Sequence, residues 1–246
     1  MLNGIPADTI KKIPHFVSIQ PFFSNGDGTK LEPCVGSIIA DQWVLTSADC
    51  VSQGNRLQLD FEKFHKNSTA KSYGAVVNND EDWVHVYPTY YDNIAMVKVP
   101  FQLKFSNSLK PIRVSSKQPS EMLKKLAILP GYDGKKDELS YAMMSITSND
   151  DCIKAHGNYD EYLNICSKPY MNNGISPCLG ESGSGLVTGW PKEPEIVGIF
   201  TAESYDCYSY KPSVYVNIVK YITWIESIIG SINRETYTTT SGPLYT

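Results

Sequence analysis

The sequence predicts an antiparallel all-β protein closed by a C-terminal helix. Short runs rich in Val, Ile, Tyr and Phe recur between clusters of Gly, Pro, Asn and Asp, and they do not alternate with helices as βαβ units would require. Clear helical periodicity appears late in the chain, and the length of 246 residues is enough to bury a full core. In order along the chain, strands are predicted over 16–20, 35–39, 43–46, 57–61, 94–99, 126–129, 185–188 and 196–201. The Asn/Asp-rich start at 149 predicts a short helix over 149–156. A longer amphipathic helix is predicted over 216–229, where Ile218, Tyr221, Ile222, Ile225 and Ile229 share one face and Gly230 follows the end. The polar, Thr-rich residues 231–246 read as a tail or a surface strap.

Charge and composition narrow the function. A formal net charge of -4 gives no basic face for nucleic acid, so no polyanion partner is expected. No run approaches the length of a membrane-spanning helix, so no membrane partner is expected either, and the start Met1-Leu2-Asn3-Gly4-Ile5-Pro6 lacks the layout of a signal peptide. It reads as a processed N-terminus behind an added methionine. Six cysteines, an even number, suggest oxidised pairs and secretion, and Asn67-Ser68-Thr69 is a glycosylation candidate at Asn67. No cofactor and no metal site are expected, and the chain is expected to be a monomer.

Two segments carry a family resemblance. Residues 35–50 run Val-Gly-Ser-Ile-Ile-Ala-Asp-Gln-Trp-Val-Leu-Thr-Ser-Ala-Asp-Cys, which resembles the strand-turn-strand of trypsin-like serine proteases that ends in Ala-Ala-His-Cys. Residues 178–187, Cys-Leu-Gly-Glu-Ser-Gly-Ser-Gly-Leu-Val, are similar to that family's nucleophile loop, Cys-x-Gly-Asp-Ser-Gly-Gly-Pro-Leu-Val. The resemblance implies two antiparallel six-stranded β-barrels with the active site between them. It places the N-terminal barrel at about 15–110, the C-terminal barrel at about 111–215 and the helix at 216–229, all within one peptidase-like domain. Spacing alone leaves the cysteine pairing open; the resemblance implies Cys34–Cys50, Cys152–Cys166 and Cys178–Cys207.

Acyl transfer of the family's kind needs a serine nucleophile, a histidine that carries its proton and a buried carboxylate that orients the imidazole. The resemblance puts Ser182 at the nucleophile, Asp49 where the histidine belongs and Asn93 where the carboxylate belongs, with Asp92 one alignment step away. A carboxylate is shorter than an imidazole and ionises near pH ~4, a poor match to a base working at neutrality. Loss of the histidine in a comparable triad costs on the order of 10⁶ in turnover. His15, His65, His85 and His156 lie outside the motif positions and read as structural imidazoles.

The surrounding cleft departs from the family as well. The oxyanion-hole donors are expected at Gly180 and Ser182. Glu181 stands where the family has an aspartate that pairs with the freed N-terminus, and Leu2-Asn3-Gly4-Ile5 stands where it has Ile-Val-Gly-Gly. Ser176 occupies the pocket base, and Thr201, Ala202, Glu203 and Ser213 its wall, where Glu203 replaces a glycine that leaves room for substrate. Tyr205, Tyr208, Tyr210 and Tyr215 form a cluster that reads either as a binding surface or as core and loop filling.

The expected function is that of a proteolytically inactive homologue that binds proteins. The alternatives are a residual or unusual serine hydrolase using Ser182 and a plain structural role. Among inactive relatives the sequence most resembles the scabies mite inactivated serine protease paralogues, related to the group 3 mite allergens. That resemblance implies secretion into the mite gut and faeces, host plasma proteins as partners, and complement components first among them.

Overall fold

The computed structural model describes residues 4–8, 12–24, 29–66, 73–89, 92–132, 137–157, 159–172, 177, 181–201 and 211–231. The strands are β1 (Ile5–Pro6), β2 (Phe16–Phe22), β3 (Cys34–Ala40), β4 (Trp43–Thr46), β5 (Arg56–Phe61), β6 (Tyr73–Asn78), β7 (Val84–Val86), β8 (Ala95–Lys98), β9 (Arg113–Val114), β10 (Leu126–Tyr132), β11 (Leu139–Ile146), β12 (Asn164–Pro169), β13 (Gly185–Thr188), β14 (Glu195–Phe200) and β15 (Ser213–Asn217). The α-helices are α1 (Ala48–Val51), α2 (Asn149–His156) and α3 (Ile222–Ile229). The fold is trypsin-like and mostly β, with few helices.

The strands fall into two sheets. The first runs β6-β5-β2-β3-β4-β8-β7, all antiparallel. In the second, β11 pairs with both β10 and β12, so that β10 to β15 close into a six-stranded ring. Two-residue strands extend that ring: β1 joins β11, and β9 runs parallel to β14. The first described strand of the chain, β1, therefore belongs to the second sheet.

Strand alternation explains why the sequence shows continuous apolar runs where half-buried strands would alternate apolar and polar. On β4, Val44 points into the first sheet's own core while Leu45 joins the seam between the sheets. On β8, Ala95 and Val97 point inward and Met96 joins the seam; on β14, Val197 points into the second core and Ile196 joins the seam. Both faces are buried, so both must be apolar. Cα atoms of Cys34 and Cys50 lie 5.9 Å apart in a disulfide that ties β3 to α1, and Cys152–Cys166, also at 5.9 Å, ties α2 to β12. The expected Cys178–Cys207 pair lies outside the described residues, as do the sequon at Asn67 and the tail beyond 231.

The expected short helix coincides with α2, but the C-terminal helix starts later than predicted. Val216 and Asn217 end strand β15, a 3-10 turn covers Ile218–Tyr221, and α3 begins at Ile222. Tertiary pairing decides this: Val216 lies in register between Asn164 of β12 and Ile199 of β14, where β15 closes the ring. The predicted helix face survives, since Ile218, Tyr221 and Ile225 are buried in the seam. Tyr215, offered as part of a tyrosine surface, is fully buried and accepts a hydrogen bond from Ser167 Oγ at 3.0 Å. It is a core residue.

His15 is 3% exposed at the seam, and its Nε2 has no hydrogen-bond partner among the described residues. Burial holds the imidazole at a pKa of about 4, against about 6.5 for the free side chain. The unfolded chain therefore binds the proton first. The stability that neutral His15 contributes is complete above pH ~6.5 and lost as pH falls toward about 4, by ~3 kcal/mol at most. Thermal melts of the natural chain and of His15→Phe between pH 7 and 4 should diverge in slope over that window, with the variant the less pH-sensitive.

Candidate functional site

The site is assembled where the β3–β4 corner of the first sheet meets the segment before β13 of the second. β4 ends at Thr46, whose Oγ1 donates to Val35 O at 2.8 Å. Ser47 caps α1 by accepting from Cys50 N–H at 3.4 Å, and Cys50 is tied to Cys34, so the first turn of α1 holds Asp49 at the surface. From the other side, Val35 N–H donates to Ser182 O at 3.0 Å and Gly183 N–H donates to Phe200 O at 2.9 Å. Ser184 Oγ donates to Pro130 O at 2.6 Å. The Ser182 turn is thus stitched to both sheets.

Gly183 makes that approach possible. Its φ is +86°, and a Cβ there would sit 2.2 Å from both Thr46 Oγ1 and Val35 O. Glu181, the longer acid in place of the family's aspartate, is 2% exposed. It packs over Gly131, where a Cβ would fall 2.4 Å from Glu181 Cγ. The extra methylene is accommodated by a missing side chain.

Asn93 faces Asp49, and Asp92 does not. Asp49 N–H donates to Asn93 Oδ1 at 2.9 Å, and Asn93 Nδ2 donates to Asp49 Oδ2. Asp92 turns the other way, where its Oδ1 accepts from the Tyr221 hydroxyl. Burial first, and then the Asp92 carboxylate, push the Tyr221 hydroxyl well above the ordinary tyrosine range, so it stays a donor. Tyr221 and Trp224 also pack edge-on against Tyr87, which ties the approach to Asn93 onto the C-terminal helix.

Ser182 Oγ lies 3.0 Å from Ser47 Oγ. None of the four histidines hydrogen-bonds to Ser182: His15 is buried at the seam, His65 rests edge-on against Phe64, His85 tilts over Trp43, and His156 Nε2 meets Pro212 O at 2.7 Å. The four polar positions therefore close into two pairs, Asp49 with Asn93 and Ser47 with Ser182. Sequence reasoning passed over Ser47, and its one signal is a hydroxyl where the family motif carries alanine.

Thr201 follows β14 and Ser213 opens β15, both half-buried. Gly180, Ser176, Ala202, Glu203, Tyr205, Tyr208 and Tyr210 lie outside the described residues. Among the described residues no group of three or more His, Cys, Asp and Glu could hold a metal ion. No helix among them is long and apolar enough to cross a membrane.

The trypsin family's sequence profile matches residues 6–225. The chain belongs to the trypsin family. Its trypsin-family relatives include a collagenase from Hypoderma lineatum, 27% identical over 213 residues, which span 81% of this chain and 77% of the relative. An ovochymase from Halocynthia roretzi is 26% identical over 224 residues, 83% of this chain but 14% of that much longer protein. In three dimensions the solved structure of HL collagenase superposes with a TM-score of 0.78 at 23% identity, covering 94% of this chain and 99% of that one, a likeness of fold.

The Asp49–Asn93 pair makes a test of its own. In Asn93→Asp two carboxylates would meet, each raising the other's pKa. The variant should melt below the natural chain at pH 7, and the gap should narrow by pH ~4, below the raised pKa at which the carboxylate pair takes up its first proton. Scanning fluorimetry at the two pH values checks this; an unchanged gap would speak against direct contact.

Proposed function

We propose that this chain is a secreted, proteolytically inert member of the trypsin family that acts by binding host plasma proteins, with complement components as the first target class. One observation carries the inert half of the reading: Asp49 stands where the family needs an imidazole, and its carboxylate is engaged by Asn93. Proton transfer from Ser182 needs a base within hydrogen-bond reach, and Ser182 Oγ has a second hydroxyl, that of Ser47, as its partner. A serine hydroxyl cannot serve as that base near neutral pH.

Secretion is supported by the two disulfides, which persist in oxidising compartments, and by the family itself. The binding half rests on the resemblance to inactivated mite paralogues. A preserved frame with altered chemistry suits a binding scaffold, because fold and site are separable in such superfamilies.

Two measurements test the reading. A serine-directed fluorophosphonate should leave Ser182 unmodified under conditions that label an active trypsin-family enzyme completely; labelling would favour a hydrolase that uses Ser182. Added to serum, the protein should reduce complement-mediated lysis in a dose-dependent way, equally for the natural chain and for Ser182→Ala. Absence of inhibition at high concentration would remove complement as the target class and leave the partner to be found by capture from plasma.

A further inference from the structure

The hydroxyl pair at the site has a direction. Ser47 is fully buried, so its O–H must find an acceptor inside the protein. Its oxygen already accepts, weakly, from Cys50 N–H at 3.4 Å, and among the described residues the acceptor in reach of its proton is Ser182 Oγ at 3.0 Å. Ser182 is half-buried, and its own O–H can turn to solvent. The arrangement of least cost has Ser47 donating and Ser182 accepting.

The geometry points to Ser47 as a latch on Ser182, a positioning residue that draws the hydroxyl toward the seam and occupies one of its two lone pairs. The inference rests on the proposed inert reading of the site and deepens it. Engagement of the Ser182 hydroxyl by Ser47 then acts separately from the lost imidazole. Restoring Asp49→His and Asn93→Asp would leave the latch closed, because neither change touches the Ser47 hydroxyl. The latch is also held at its other end. Ser47 is fixed by its capping of α1, by the Cys34–Cys50 disulfide and by Thr46 on Val35 O, while Ser182 is fixed by Val35 N–H on its carbonyl. The two oxygens therefore stay in register without either side chain having to search for the other.

A double-mutant cycle on the full chain with its disulfides intact separates the latch from the capping role. Urea unfolding is measured for the natural chain, Ser47→Ala, Ser182→Ala and the pair of changes together. A residue that only caps α1 destabilises equally whether or not Ser182 is present. For a latch, the cost of Ser47→Ala is about fivefold smaller in the unfolding constant once Ser182 is alanine. Additive costs overturn the proposal. The second arm works in the Asp49→His/Asn93→Asp background, where adding Ser47→Ala should raise fluorophosphonate labelling of Ser182 severalfold. Equal or lower labelling also overturns it. Labelling of the natural chain would defeat the inert reading, and the cycle would still decide the latch on its own.

Discussion

The contact on which the site depends is the close seating of Gly183 against the β3–β4 corner. With φ at +86° and no side chain, it lets the Ser182 turn come within van der Waals reach of Thr46 Oγ1 and Val35 O. That contact joins the second sheet to the first at one point, and hydrogen bonds from Val35 N–H and to Phe200 O hold it there. Any side chain at 183 would clash with backbone as well as with Thr46, so the turn would have to lift and carry Ser182 out of the seam. The large apolar interface around it, from Phe16 and Leu45 to Ile196 and Tyr221, supplies the burial that keeps the two sheets pressed together.

Within that frame Asp49 and Asn93 pair side by side, each supplying a donor and an acceptor. The family's arrangement has an imidazole N–H facing a carboxylate; here an amide N–H on Asn93 faces a carboxylate on Asp49. The negative charge of the pair sits at the exposed position 49, where water solvates it and burial exacts little. The two side chains satisfy each other's hydrogen bonds at the surface, so the pair carries no local penalty.

The fold was largely legible because trypsin-family strands bury both faces and so leave runs of Val, Ile and Leu that stand out between turn residues. Strands with other compositions were missed. β12 reads Asn-Ile-Cys-Ser-Lys-Pro and β11 is rich in Met, Ala and Ser, and both are strands because their neighbours in the ring demand pairing. The first turn of the predicted C-terminal helix became β15 and a 3-10 turn for the same reason. Sequence proximity groups Tyr215 with the tyrosines at 205, 208 and 210, whereas β15 turns its ring into the second core beside Phe200.

The sequence by itself determined the family and two disulfides, because each is a local motif or a pairing implied by the family. Only the tertiary structure decided how those positions meet. Asn93 rather than Asp92 faces Asp49 because Tyr221, more than a hundred residues later, takes the Asp92 carboxylate. Ser182 meets Ser47 because a glycine turn from one sheet is seated on a helix cap of the other. Such contacts join residues far apart in the chain, and no local pattern encodes the distance between two side chains that only packing brings together.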